Sequence, residues 1–449
     1  MSSYEGNMVF LLPSATPLDS SGQSEFAIRS MSVLFGMVAI PAIYFLAKRL
    51  FNRETGLIGA ALLAVPAAHI QFSQEARSYS LLLLLLILST YFFTCAVESP
   101  RKKSSWLAYI VLSTLAVYCH VLAVLILRAQ WLSLGFIHFR QIRLRTVLMI
   151  LGSLAVLVAP MGDFLFFNNK GQIAWIPRPT VRLVAHAVGF LTGGGVVLLF
   201  FAYFGACIIA TVCLAQTNRA RHSIPTDSFS VRLLVLSVIF PLAVMLSFSF
   251  LYRPLFSYRY LGISVPVNVL LAAHGLTNLK RCYSSRRWVM PTAMTLMLCL
   301  SLIGTYRYYR DYDGFGNDWR SATHYILDRH QSDDAIIFYI PAGYRSFAYY
   351  AKREAAVVNQ PGPAVIIPLA GTHTNYNAFL TSDQIDQLTR NHRRLWLVLH
   401  QEDVGRNTPF RSQFPQSLTC IEEHEFLGKW PNGITVVLCL CSPKSRDSN

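Results

Sequence analysis

Residues 74–97 read QEARSYSLLLLLLILSTYFFTCAV. An acid, Glu75, and a cation, Arg77, stand directly ahead of a run from Tyr79 to Val97 that carries no charge. A run of that length approaches the ~20 apolar residues an α-helix needs to cross a ~30 Å hydrocarbon core. The stretch therefore predicts a membrane helix with a polar entrance at the membrane surface. Working outward, further apolar stretches lie near 30–47, 56–72, 106–118, 121–137, 146–162, 194–215, 233–251, 261–277 and 288–305, so ten helices are expected. Several are shorter than a full span, and their ends must borrow flanking polar residues.

Composition agrees. Of 449 residues, 53% are hydrophobic and 14% charged, against roughly 25% charged in soluble domains. With 29 Phe, 21 Tyr and 7 Trp, low-complexity disorder is excluded. The net charge of +16 would suit a nucleic-acid partner, but residues 306–449 hold 15 Lys/Arg against 15 Asp/Glu. The excess lies in residues 1–305, 24 against 8, where loop charge records membrane orientation. No nucleic-acid partner is expected.

The stretch from Trp106 to Phe139 has Arg101, Lys102 and Lys103 at one end and Arg140, Arg143 and Arg145 at the other. One long helix would put one of these clusters outside. Two short spans turning at Tyr118, Cys119 and His120 keep both on one side, as the positive-inside rule favours. Loops 48–55, 98–105, 138–145, 216–232 and 278–287 then carry 16 Lys/Arg and three acids, and are read as cytoplasmic. Residues 1–29 form an outer N-terminal segment, 30–305 the membrane domain, and 306–449 an outer soluble domain. Residues 183–192, too short to cross and too apolar for water, predict an interfacial helix on the outer leaflet.

After Tyr306 the pattern changes. Asp318 predicts an N-cap for a helix through Arg329. Residues 335–340, 395–399 and 434–441 predict strands, and 382–392 a helix. Alternating elements of this kind imply a small α/β domain. The nine cysteines show no metal-ligand spacing, and Asp311, Asp313 and Asp318 lack a calcium-loop pattern. Cys420 is expected either to oxidise with Cys439 or Cys441 or to stay an inert thiol. No P-loop or dinucleotide fingerprint occurs; no metal and no cofactor is expected.

Gln74-Glu75-Ala76-Arg77-Ser78-Tyr79 brings an acid, a cation and a phenol to an outer junction, where Arg77 offers a planar fork to a phosphate or carboxylate. The alternative is a Glu75–Arg77 pair that anchors a turn. Arg253-Pro254-Leu255-Phe256-Ser257-Tyr258-Arg259-Tyr260 lies at another outer junction, where its two arginines and two tyrosines are placed to face one headgroup groove, with Arg259 the favoured cation. The alternative is an aromatic belt with snorkelling arginines. His120 and Asp163 are single polar residues near the same face. Trp175, Ile176 and Pro177, beside Lys170 and Arg178, form an aromatic and basic outer loop. Arg128 lies inside a span, where an unpaired charge costs roughly 2.5–3.5 kcal/mol, and either calls for an anionic or carbonyl partner or marks a wrong span boundary.

Together with Ser24-Glu25-Phe26-Ala27-Ile28-Arg29-Ser30, Lys48-Arg49-Leu50-Phe51, Tyr118-Cys119-His120, Arg259-Tyr260 and Asp318-Trp319-Arg320, the 74–79 motif resembles bacterial members of the protein O-mannosyltransferase-like family. These are membrane glycosyltransferases of the C-type fold, related to the lipid A aminoarabinose transferase. The resemblance runs from about Ser24 to about Tyr350. It implies transfer of a sugar from a polyprenyl-phosphate donor to an unidentified acceptor at the outer face of the cytoplasmic membrane. Arg77 and Arg259 would stabilise the phosphate that departs, and Tyr79, His120 and Tyr260 would add hydrogen bonds.

The family places a first transmembrane helix and an acidic outer loop ahead of the Ser24 stretch, and that acid is its candidate base. Met1–Gln23 shows neither, and Asp19 is too close to Arg29 to fill the motif's place. Either the natural chain starts further upstream or the base is absent, and Glu75 is the catalytic candidate within this sequence. A non-catalytic protein that binds or flips lipid-linked sugars is the rival expectation. A transporter would need ionisable residues near mid-membrane, where Arg128 alone qualifies.

Overall fold

The computed structural model describes residues 25–75, 77–135, 142–167, 178–192, 196–219, 225–282, 287–310, 318–331, 334–338, 343, 346–351, 365–368, 391–400, 418–426 and 434–441. The chain divides into two compact units, Ser2–Tyr306 and Arg307–Asn449.

The first unit is helical: α1 Glu25–Leu50, α2 Arg53–Ala64, α3 Ala67–Gln74, α4 Tyr79–Glu98, α5 Lys103–Cys119, α6 Ala123–Ser133, α7 Leu144–Phe167, α8 Val181–Leu191, α9 Val197–Arg219, α10 Pro225–Leu251, α11 Tyr258–Leu261, a 3-10 turn Gly262–Ser264, α12 Val265–Cys282 and α13 Val289–Arg310. Over its described residues, every apolar stretch expected to cross falls on a helix. Among the described residues six helical stretches are long and apolar enough: Arg29–Leu50, Tyr79–Glu98, Leu144–Gly162, Ser228–Leu251, Tyr258–Lys280 and Val289–Arg310. A seventh counts only if α2 and α3, bent by 62° at their junction, form one span. The bend falls at Pro66, which has no N–H to continue the α2 ladder and whose φ of −62° instead opens α3. The hairpin helices α5 and α6 are shorter than a full crossing.

Contacts fix the direction of each helix within this unit. At one end, Arg49 pairs with Glu98 at 2.6 Å, Lys280 with Glu54 at 3.0 Å, Ser230 donates to the Leu50 carbonyl at 3.0 Å and Arg232 Nε to the Ser133 carbonyl at 2.7 Å. This basic end gathers the termini of α1, α2, α4, α6, α10 and α12. The starts of α4 and α6 and the end of α5 therefore lie at the opposite end, about 30 Å away along α4 at 1.5 Å per residue. The hairpin expected at His120 is present. Trp131 near the end of α6 stacks 6.1 Å from Trp106 near the start of α5 and donates to the Tyr109 hydroxyl at 3.1 Å, so the two helices run antiparallel.

Helix contact uses small residues, as packing without a water-driven hydrophobic term requires. A Cβ on Gly275 would stand 1.9 Å from the Ala206 carbonyl oxygen, so α9 and α12 cross backbone to backbone there. The amphipathic helix expected at 183–192 is α8. Thr180 caps it by accepting from Leu183 N–H at 3.3 Å, and Asn268 of α12 donates to its last carbonyl, Leu191, at 3.1 Å.

The second unit contains α14 Trp319–Leu327 and strands β1 Ala335–Phe338, β2 Val365–Pro368, β3 Arg394–His400, β4 Leu418–Phe426 and β5 Ile434–Cys441. The sheet order is β2-β1-β3-β5-β4, with β1 parallel to β2 and β3, and β5 antiparallel to β3 and β4. Asp318 caps α14 as expected, accepting from Ser321 N–H at 3.0 Å. β2 and β4 are additions to the sequence reading; β4 carries Glu422, Glu423 and Glu425 and has no apolar run to betray it. The helix expected at 382–392 falls almost wholly outside the described residues. Buried Trp396, Phe338 and Phe347 form the core. Below it, Asp334 accepts from Trp396 Nε1 at 2.7 Å and pairs with Arg394 at 3.2 Å. Cys420 faces Cys439 across β4 and β5, and the two are bonded.

Candidate functional site

The motif at 74–79 occupies the end of the helical unit remote from the basic termini. α3 stops at Gln74, and Glu75 leaves the helix with extended backbone (φ −75°, ψ 130°) while its N–H still reaches the Gln71 carbonyl at 3.0 Å. Arg77 N–H donates to the Glu75 carbonyl at 2.8 Å. Ser32 of α1 donates to the Arg77 carbonyl at 3.4 Å. Ser78, at the N-cap position of α4, spends its hydroxyl on the Cys119 carbonyl at 3.2 Å instead of capping its own helix. The segment is thus tied to α1 on one side and to the α5–α6 turn on the other, and its charges precede the positive end of the α4 dipole.

The Glu75 carboxylate is half-buried. Its Oε1 accepts from Gln71 Nε2 at 3.1 Å, whereas Oε2 is buried with no hydrogen-bond partner among the described residues. Arg259 lies within Coulombic range of both Glu75 and Tyr79. Its Nε donates to the Tyr258 hydroxyl at 3.1 Å, and its guanidinium sits 5.8 Å from the Tyr258 ring centroid. A planar cation held by a phenol and an aromatic face loses little further freedom on gripping an anion.

A chain of rings links these groups. Phe72 lies 5.2 Å from Tyr79, Tyr79 lies 6.1 Å from His120, and His120 meets Tyr260 edge-on at 5.0 Å. On the other flank, Phe72 contacts Phe190 of α8 at 5.4 Å, and Phe190 contacts Tyr258 at 5.2 Å. The approach of α11 requires Gly262, since a Cβ there would stand 2.4 Å from Phe72 Cζ.

His120 lies in the turn between α5 and α6. Its Nδ1 accepts from Leu122 N–H at 3.2 Å, which assigns the proton of the neutral ring to Nε2. Nε2 is buried and has no hydrogen-bond partner among the described residues. Burial lowers the imidazole from 6.5 to about 4, so it presents a neutral N–H donor near pH 7.

Of the residues singled out from the sequence, Glu75, Tyr79, His120, Arg259 and Tyr260 come together by these contacts. Arg77 shares their segment through its main chain, with a half-buried side chain. Arg253 is exposed beside Tyr252 and does not join Arg259. Arg128 is exposed in the middle of α6 and does not join the group. The side chain of Asp163, and all of Asp19, Lys170, Trp175, Ile176, Pro177, Asp311 and Asp313, lie outside the described residues. No group of three or more His, Cys, Asp or Glu that could hold a metal occurs among the described residues. Sequence reasoning missed Gln71, whose signal was its place four residues before Glu75 on a helix. It also missed Phe72, Phe190 and Gly262, which no local pattern marks.

Residues 16–162 match the sequence model of dolichyl-phosphate-mannose-protein mannosyltransferases. Glu75, Arg77, Tyr79 and His120 lie inside that range, Arg259 and Tyr260 beyond it. No curated protein sequence matches the chain. Among solved structures, ArnT from Cupriavidus metallidurans in the apo state superimposes with a TM-score of 0.50 at 11% identity, covering 91% of this chain and 83% of that one. The same protein bound to undecaprenyl phosphate gives a TM-score of 0.49 at 12% identity, with 92% and 84% covered. The apo oligosaccharyltransferase of the archaeon Archaeoglobus fulgidus gives 0.50 at 12% identity, with 84% and 59% covered. At these identities the likeness is one of fold. The chain is therefore a polytopic helical membrane protein with the C-type glycosyltransferase fold and a small C-terminal sheet domain, similar over residues 16–162 to the protein O-mannosyltransferase-like family.

Proposed function

We propose that this protein transfers a sugar from a polyprenyl-phosphate-linked donor to an acceptor at the outer face of the cytoplasmic membrane. The observation that carries the reading is the gathering of Glu75, Arg259, Tyr79, His120 and Tyr260 at one end of the helical unit, with a buried acceptor (Glu75 Oε2) and a buried donor (His120 Nε2) that have no hydrogen-bond partner among the described residues. The family match and the shared fold support it.

In this reading the acceptor hydroxyl gives its proton to Glu75 Oε2 as its oxygen attacks the anomeric carbon. The bond from that carbon to the phosphate oxygen breaks, and its electron pair leaves with polyprenyl phosphate. The negative charge that grows there meets Arg259 and Arg77, the N–H of His120, the phenols of Tyr79 and Tyr260, and the positive end of α4. A single displacement of this kind inverts the anomeric configuration. Apolar helix faces beside the site would hold the prenyl chain in the bilayer.

The polarity of the helices supports the outer placement. The cation-rich termini gather opposite the site, and such loops remain in the cytoplasm. The bonded Cys420 and Cys439 suit an oxidising compartment for the C-terminal unit.

The test is release of polyprenyl phosphate in membranes of the source cell, whose own lipid-linked sugars and acceptors are present. Arg77→Ala and Arg259→Ala should each abolish most of it. Unchanged release would refute the phosphate-binding role of the residue altered. A protein that binds or flips the lipid-linked sugar would move it across the bilayer and release no polyprenyl phosphate. Placement is tested separately with single cysteines and a membrane-impermeant thiol reagent on intact cells. Arg253→Cys, at the exposed turn after α10, should label and Ser104→Cys should not; the reverse pattern would invert the topology.

A further inference from the structure

Gln71 belongs to none of the sequence motifs and has no part in the reaction as written, yet its side chain is bonded to the carboxylate of the proposed base. It lies one helical turn ahead of Glu75 on α3, on the same face, and is buried at 2% exposure. Its carbonyl accepts the Glu75 backbone N–H at 3.0 Å and its side-chain amide donates to Glu75 Oε1 at 3.1 Å. Main chain and carboxylate of Glu75 are therefore both tied to one residue.

A primary amide inside a helix interface costs desolvation free energy that leucine or methionine would not. Here the amide occupies one carboxylate oxygen and leaves the other, Oε2, buried and without a partner among the described residues. Arg259 stands within Coulombic range of the same carboxylate. The amide's hydrogen bond on Oε1 opposes rotation of the carboxylate toward that cation and so fixes which oxygen is left without a partner.

We infer that Gln71 is a positioning residue for glycosyl transfer: it pins Oε1 of Glu75 so that Oε2 stays open to the acceptor hydroxyl and Arg259 stays open to the phosphate. The inference rests on Glu75 being the base. In the step it serves, the proton passes from acceptor oxygen to Oε2 while the bond from sugar to phosphate breaks, and Gln71 exchanges no atom or electron.

The experiment uses the full chain in source-cell membranes, with polyprenyl-phosphate release followed against pH and with a detergent melting curve for each variant. Gln71→Met keeps the volume and removes the donor. Release should fall about 10- to 100-fold with the melting temperature held. Gln71→Glu places a second carboxylate beside Glu75, which disfavours ionisation of the pair, and should move the acidic limb of the rate profile to higher pH. A purely structural glutamine would shift the melt and leave that limb where it was. If Glu75→Gln is inactive but Gln71→Met retains its rate within twofold, or the limb does not move in Gln71→Glu, the positioning role is overturned and the base stands. If Glu75→Gln releases polyprenyl phosphate at the wild-type rate, the base assignment falls and this inference falls with it.

Discussion

Gly262→Ala isolates the aromatic wall of the site from everything else. The backbone there is helical (φ −53°, ψ −22°), so alanine has no conformational penalty and in a helix is favoured over glycine by about 1 kcal/mol. Any loss must therefore come from space. The new Cβ would stand 2.4 Å from Phe72 Cζ and 2.7 Å from Cε2. Carbon atoms pack at ~3.5–4.0 Å, so the ring must withdraw by ~1 Å. It has little room, being 1% exposed and held between Tyr79 and Phe190. Overpacking of this kind costs ~1–3 kcal/mol, enough to outweigh the helical gain. The displacement passes to Tyr79, and a ~1 Å misplacement near reacting groups costs on the order of 10²-fold in rate. The melting temperature should fall, polyprenyl-phosphate release should drop by one to two orders of magnitude, and adding Phe72→Leu should recover part of both. Wild-type melting and release in Gly262→Ala would refute the argument, because the Phe72 contact could then not be part of the working protein.

Three other changes separate the contributions. Arg259→Gln removes a fixed cation at the leaving group and should lower release by ~10²–10³-fold. Arg259→Lys keeps the charge but loses the fork held by Tyr258, and should fall in between; equal rates for the lysine and glutamine variants would argue against charge as the operative feature. His120 is neutral in the fold down to about pH 4, whereas unfolded imidazole takes up a proton below 6.5. Its contribution to stability is complete above 6.5 and is lost as pH falls from 6.5 toward 4. The melting temperature should decline across that window more steeply than in His120→Gln, and parallel profiles would count against the buried neutral ring. In the C-terminal unit, Asp334→Ala strips the partner from Arg394 and Trp396 Nε1 and should destabilise that unit by about 3–5 kcal/mol, seen as faster limited proteolysis after Tyr306; an unchanged digestion rate would contradict it.

The helices were legible because the hydrocarbon core imposes a length and excludes charge, so stretches such as Tyr79–Val97 declare themselves. The Trp106–Phe139 hairpin was legible because two basic clusters cannot face opposite sides cheaply. The break between α2 and α3 was not. Pro66 sits inside an otherwise continuous apolar run, and whether such a proline kinks a helix or ends it depends on what the neighbouring helices supply to the freed backbone groups. Strands β2 and β4 were missed for a related reason. β4 is largely polar and gains its place by pairing with β5, whose register sets Cys420 opposite Cys439.

Within the site, the sequence by itself determined the chemistry available: acid, cation and phenol in the 74–79 motif, an imidazole at 120, a cation and a phenol at 259 and 260. Each is marked by a polar type at the edge of an apolar run, where desolvation makes a charge costly to keep without use. Which of them meet was decided by tertiary structure alone. Arg253 and Arg259 belong to one sequence cluster, yet one is exposed and the other lies within Coulombic range of Glu75, some 180 residues away in the chain. The Gln71 bond, the tautomer of His120 and the space that demands glycine at 262 are likewise invisible in one dimension. Side-chain direction, burial and steric fit come from how helices cross, and crossing is settled by packing between segments far apart in the chain.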